Sequence, residues 1–197
     1  MDIVGRVKAV LLRPKETFQL IKTESATTQD LIFNYVAILA VIPAIASIIG
    51  MSLVGVSVPF MRMVRFPLIN SLSRAIVQYV LTLVGVYVLG LIINALAPTF
   101  SGVKNNIQAL KIAVYCATPT LVAGILHIVP ALGVLVIIAG LYGLYLLYLA
   151  IPVMMECPKE KALVYTVTVI VVNIVISIII GTIAGAITTS GFGFRFL

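Results

Sequence analysis

Five apolar runs, each near or above the roughly 20 residues that a helix needs to cross a bilayer core, leave this 197-residue chain few folds to choose from. They cover about residues 31–58, 71–97, 107–129, 131–155 and 162–188. Hydrocarbon offers no partner to a backbone amide, so each run must form a helix that satisfies its own hydrogen bonds. The fifth run is rich in Val and Ile and resembles a strand pattern, but a stretch of that length without a charge reads as a spanning helix. Composition points the same way: 62% hydrophobic and 10% charged residues, with a mean hydropathy of +1.23, are more apolar surface than a soluble fold of this size can hide. The expected fold class is all-α, a polytopic membrane protein. Five transmembrane helices over residues 30–188 follow a basic segment, 1–29, and precede a short tail, 189–197, whose aromatic residues suit the membrane interface.

Local signals punctuate the runs. Ile3, Val4, Val7, Val10 and Leu11 recur at helical spacing, with Arg6 and Lys8 on the remaining arc. Pro14 should end that helix and open a second, because proline suits a first helical position and Glu16 then favours the positive helix end. One or two short amphipathic helices at the membrane surface follow, with Phe18 and Ile21 turned to lipid. Packing of this segment against the cytosolic loops is the alternative. Thr27 and Asp30 have the spacing of a capping box, which places the start of the first span there. Pro43 is expected to kink that span, Pro98 to close the second, and Pro130 to mark a tight reversal. Lys111 sits where its stem could snorkel to the interface. No cleavable leader is expected, since no apolar core of signal-peptide type lies within the first 24 residues.

The cations set an expected sidedness. With the N-terminus in the cytosol, the inner face holds Arg6, Lys8, Arg13, Lys15, Lys22, Lys104, Lys111, Lys159 and Lys161, and the outer face Arg62, Arg65, Arg74 and Arg195. Cytosolic loops are enriched in Lys and Arg, so this sense is preferred, and five spans then put the C-terminus outside. A net charge of +7 on such a chain suits anionic headgroups rather than nucleic acid.

Few residues suggest chemistry. Asp2, Glu16, Glu24, Asp30, Glu156 and Glu160 all fall in termini, loops or span edges, so no mid-membrane carboxylate is available to relay a proton or bind a cation. His127 is the single histidine, and Cys116 and Cys157 are isolated, which gives neither a metal cluster nor a triad. Phosphate-loop, HExxH and GxSxG motifs are absent. The chain is thus expected to be no enzyme and to need no cofactor or metal. Tyr142, Tyr145 and Tyr148 form a winding stripe on the fourth run, and Asn94, Asn173 and Ser177 are polar groups well inside apolar stretches. Helix packing accounts for all of these, and a polar lining built from Tyr142, Tyr145, Asn94 and Asn173 is the alternative. Gly181 with Gly185, and Ala139 with Gly143, have small-xxx-small spacing and suit a close helix contact within one subunit or between copies.

The order of several short segments resembles the prokaryotic branch of the Yip family: Arg-Pro-Lys-Glu-Thr-Phe at 13–18, Tyr-Cys-Ala-Thr-Pro at 115–119, Pro130 with Gly133, the span around Tyr142, and Lys161-Ala162. The resemblance implies a five-helix membrane domain with a cytosolic N-terminus. Eukaryotic relatives are associated with Rab GTPases and vesicle formation. Their Asp-Leu-Tyr-Gly-Pro segment is absent here and the region before the first span is only about 30 residues, so the resemblance does not carry a Rab-type partner to this chain. The resulting expectation is a membrane-organising or adaptor protein that meets anionic lipid through Arg6, Lys8, Arg13 and Lys15 and binds other membrane proteins or further copies of itself. A carrier or channel for a small solute is the rival.

Overall fold

A computed structural model describes residues 2–55 and 67–191, and among them there is no strand. Two short helices lead, α1 (Ile3–Leu12) and α2 (Pro14–Thr23). Five long apolar helices follow: span 1 (Thr28–Val54), span 2 (Leu68–Phe100), span 3 (Asn106–Ile128), span 4 (Pro130–Met154) and span 5 (Lys159–Ile179), the last helix continuing to Gly191. Arg62, Arg65, Arg195 and the aromatic end of the tail lie outside the described residues, as do the surroundings of Gly181 and Gly185.

Helix starts fall at Pro14 and at Thr27 with Asp30, as the sequence indicates, and also at Asp2 and Asn105. The Asp2 carboxylate accepts from the Gly5 amide at 3.0 Å and starts α1. Pro14 is the first residue of α2, and Thr17 ties the two helices together by donating its hydroxyl to the carbonyls of Ala9 (3.0 Å) and Arg13 (2.7 Å). Thr27 and Asp30 form the reciprocal capping box at the start of span 1. Asn105 caps span 3 by accepting from the amides of Ile107 and Gln108, both at 3.1 Å. Span 1 widens into π geometry at Ile32–Val36 and again at Gly50–Val54, single-turn departures of the kind that often mark functional positions.

Span 3 is the hub. Within its apolar core 67% of residues are buried, against 22–28% in the other four spans, whose remaining surface is apolar and faces outward as lipid contact requires. Spans 1, 2 and 4 all pack on it. Polar side chains tie helix to helix where hydrocarbon would otherwise leave them unpaired. Tyr35 and Thr118 share a hydrogen bond of 3.0 Å between spans 1 and 3, Tyr79 donates to the Ala37 carbonyl at 3.2 Å, Tyr165 donates to the Ile93 carbonyl, and Asn94 donates to Asn106. Tyr165 also stacks on Phe100 with ring centroids 4.9 Å apart.

The loops sort into two ends. The 101–105 turn meets the turn after span 4 through Val103 N–H to the Met155 carbonyl (2.7 Å) and Lys161 to Ser101 (2.8 Å), and Lys22 of α2 reaches Glu156 at 2.7 Å. Both leading helices therefore lie at that end. It gathers Lys8, Arg13, Lys15, Lys22, Lys104, Lys159 and Lys161 with all six carboxylates of the chain. At the opposite end, Gly50 of span 1 packs directly on the backbone of His127.

Candidate functional site

The leading helices are docked, not laid out on lipid by their apolar face. Val10, Phe18 and Ile21 are fully buried in the main core cluster, with α2 against span 4 and α1 against span 3. The expectation that Phe18 and Ile21 face lipid is thereby corrected: an apolar face can be covered by protein as well as by acyl chains, and the end of the bundle supplies the cover. Burying three such side chains contributes on the order of 1.5–3 kcal/mol each.

Lys111 needs a second correction. It lies one turn inside span 3, is 2% exposed, and does not snorkel to water. Its ammonium donates to the carbonyls of Ile21 (2.8 Å) and Glu24 (2.5 Å), and Gln108, one turn earlier, donates its amide to the Lys22 carbonyl at 2.9 Å. The last carbonyls of a helix have no partner within it and carry the negative end of its dipole, so a cation there satisfies both the hydrogen bonds and the field. Span 3 thus caps α2 through space.

The same face of span 3 continues inward. Gln108, Lys111, Tyr115 and Thr118 follow at spacings of three, four and three, which places them in one row along the helix. Tyr115 stands edge-on to Tyr35 at 5.1 Å and under the Arg6 guanidinium at 5.9 Å. Arg6 in turn places one nitrogen between both Glu24 oxygens, at 2.7 and 2.8 Å, with side chains 15% and 33% exposed. This row was the missed signal: a lysine and a glutamine amid apolar residues, in register with a tyrosine and a threonine, indicate a helix face that meets polar backbone.

Of the cations expected to meet lipid, Arg6 is turned inward to Glu24, whereas Lys8, Arg13 and Lys15 are exposed. They alternate with exposed apolar side chains. Val4, Lys8 and Leu12 form a stripe at four-residue steps on the outer face of α1, and Leu20 stands exposed on α2. The residues considered for a polar lining are placed separately. Tyr142 donates to the Leu11 carbonyl at 2.7 Å and so fastens the end of α1 to span 4, with Tyr145 beside it at 5.8 Å and half exposed. Asn94 is engaged with Asn106, and Asn173 is half-buried on span 5. Gly143 packs on the Cys116 carbonyl, the close contact that its spacing with Ala139 suggested. Cys116 and Cys157 are both buried, and burial pushes the Cys157 thiol up.

This end also holds a cavity of about 670 Å³ between α1, the segment after α2, span 1 and span 3, lined by Arg6, Glu24, Asp30, Asn34, Leu31 and Ile38 among others. Among the described residues no group of three or more His, Cys, Asp or Glu side chains is gathered that could hold a metal ion.

Comparison with known proteins agrees with this architecture. Inner membrane protein YohC of Escherichia coli strain K12 is 26% identical over 166 residues, which cover 83% of this chain and 85% of that protein. The protein of the same name from Escherichia coli O6:H1 strain CFT073 is similar to the same extent. No solved structure matches significantly. The model of the Yip1 domain matches residues 8–181, from the middle of α1 through nearly all of span 5 and including the Lys111 cap. The chain accordingly belongs to the Yip1 domain family and is a multi-pass integral membrane protein of five helices.

Proposed function

We propose that this protein is a non-catalytic membrane-organising adaptor, cytosolic at the end that carries α1 and α2, whose leading helices present a basic and apolar face to anionic lipid while the bundle holds them in place. The observation that carries this reading is the outward stripe of α1 and α2. Val4 and Leu12 are 64% and 77% exposed and Leu20 is 57% exposed, next to Lys8, Arg13 and Lys15. Side chains of that mixture suit the headgroup region, where apolar groups reach the acyl boundary and cations meet phosphates. The inward Arg6 is left out of this surface, which rests on the other three cations.

Reversing the three charges together, Lys8→Glu, Arg13→Glu and Lys15→Glu, should reduce retention of phosphatidylglycerol by the full-length protein in detergent roughly tenfold or more, with the loss shrinking at high salt. Native mass spectrometry of the lipid-bound species reads this. Equal retention by wild type and variant would remove the lipid role.

Sidedness has its own test. Lys104→Cys places a thiol in the exposed 101–105 turn at the basic end. The two native cysteines are buried, and the raised pKa of Cys157 leaves less thiolate at pH 8 than an ordinary cysteine has, so they label slowly. An impermeant maleimide should therefore modify the variant only after cells are opened. Labelling of intact cells would place this end outside and overturn the cytosolic assignment.

A further inference from the structure

We infer that the cavity beneath α1 is a binding site for a lipid with a phosphoethanolamine headgroup, separate from the anionic-lipid surface proposed for Lys8, Arg13 and Lys15. Three features of the cavity converge on that ligand. Its volume, about 670 Å³, lies within the range of small-molecule sites. Its charges are of both signs, Arg6 against Glu24 and Asp30, with the Lys111 ammonium on the Glu24 carbonyl behind them, a balance that suits an occupant itself carrying both signs. Its wall changes character along span 1, from Asp30, through Asn34, to Ile38 about 12 Å along the helix.

The donors and acceptors fit a zwitterion. Only one nitrogen of Arg6 is engaged with Glu24, so Nη1 and Nε are free of hydrogen bonds to the described residues and suit a phosphate oxygen. Asp30 Oδ2 accepts from both the amide and the hydroxyl of Thr27, whereas Oδ1 accepts only from Asn34 and keeps a lone pair, and the Asn34 carbonyl oxygen is unused. A primary ammonium can donate to that set, and a trimethylammonium cannot. Asn34 belongs to the π turn Ile32–Val36, which carries it to the cavity wall along with Asp30. Ile38 is half exposed at 50% and Leu31 is buried beside it, so the inner part of the cavity is an apolar surface that an acyl chain would cover. The apolar wall is why a lipid, and not a free headgroup, is the occupant.

The test uses the full-length protein, delipidated in detergent and titrated separately with phosphatidylethanolamine, phosphatidylcholine, phosphatidylglycerol and soluble glycerophosphoethanolamine, with bound molecules counted by native mass spectrometry. Phosphatidylethanolamine should be retained several-fold over phosphatidylcholine and glycerophosphoethanolamine, and over phosphatidylglycerol once Lys8→Glu, Arg13→Glu and Lys15→Glu have removed the anionic-lipid surface. Asp30→Asn keeps an oxygen for the Thr27 amide but should level the preference between the ethanolamine and choline lipids. Ile38→Trp, a change at an exposed position, should block the apolar part and lower retention of phosphatidylethanolamine several-fold with helix content unchanged. Equal retention of ethanolamine and choline lipids by wild type, a preference for phosphatidylglycerol in the variant lacking the three exposed cations, soluble headgroup bound as tightly as lipid, or wild-type retention by Ile38→Trp would each overturn the inference.

Discussion

Replacing Lys111 by methionine should raise the opened population of α1 and α2 by roughly tenfold to a hundredfold while the five spans stay assembled. Methionine keeps the length and apolar stem of lysine and removes only the ammonium. The Ile21 carbonyl then stays buried without its donor, and the Glu24 carbonyl loses its own. An unsatisfied buried acceptor costs about 1–3 kcal/mol, and the favourable contact of a cation with the helix C-terminus is lost as well. One effect opposes this. In the docked state Lys111 is nearly cut off from water, and once α2 lifts away the ammonium is hydrated, so its desolvation works against docking. That cost offsets the two hydrogen bonds only in part, hence a range and not complete release. Val10, Phe18 and Ile21 still hold the helices to the bundle. Hydrogen exchange over residues 14–24 in the detergent-solubilised protein should accelerate by that factor, with spans 3 and 4 unchanged. Unaltered exchange would mean that the cap contributes nothing to docking.

The membrane architecture was legible because it follows from one strong constraint. Apolar runs of spanning length form helices in lipid, and Pro14 and the Thr27 and Asp30 pair mark helix starts whose chemistry is local. What the sequence concealed is of another kind. Phe18 and Ile21 read as a lipid-facing stripe because amphipathicity reports that a face is covered, not by what. Lys111 read as an interfacial residue because its partners, the carbonyls of Ile21 and Glu24, lie about 90 residues away and carry no side-chain signature. Arg6 belonged by composition with Lys8, Arg13 and Lys15, and only the fold brings Glu24 to it. In each case the missing information is a long-range contact to backbone or to a residue on another helix.

These contacts also explain why both roles proposed above fall at the basic end of this chain. Within the bundle, polar groups such as Tyr35 with Thr118 and Tyr79 with the Ala37 carbonyl are consumed in joining spans. At the basic end, cations and carboxylates exceed what the joints require. Lys8, Arg13 and Lys15 are left exposed, and Arg6, Asp30 and Asn34 keep hydrogen-bonding capacity toward a cavity. The Lys111 cap couples the two, because the segment that carries Glu24 is both the end of the docked helix and a wall of the cavity.

A large loss of stability from a single added methyl group is expected at Gly50 and at Gly143. A Cβ on Gly50 would stand 2.0 Å from the His127 carbonyl oxygen, and one on Gly143 would stand 2.7 Å from that of Cys116. Both obstacles are backbone atoms of an adjoining helix or of its 3-10 end, which cannot rotate aside as a long side chain can. The helices must separate, and overpacking of this kind costs about 1–3 kcal/mol, with Gly50→Ala at the upper end because its approach is closer. Gly85 and Gly133 serve as controls, since a Cβ there meets nothing within 4 Å. Gly85→Ala, inside span 2, should leave stability unchanged or raise it slightly through helix propensity. Thermal unfolding midpoints of the four alanine variants in one detergent decide the matter. The expected order is Gly50→Ala lowest, then Gly143→Ala, with the two controls near wild type. Midpoints for Gly50→Ala and Gly143→Ala level with that of Gly85→Ala would show that spans 1, 3 and 4 do not approach as closely as described.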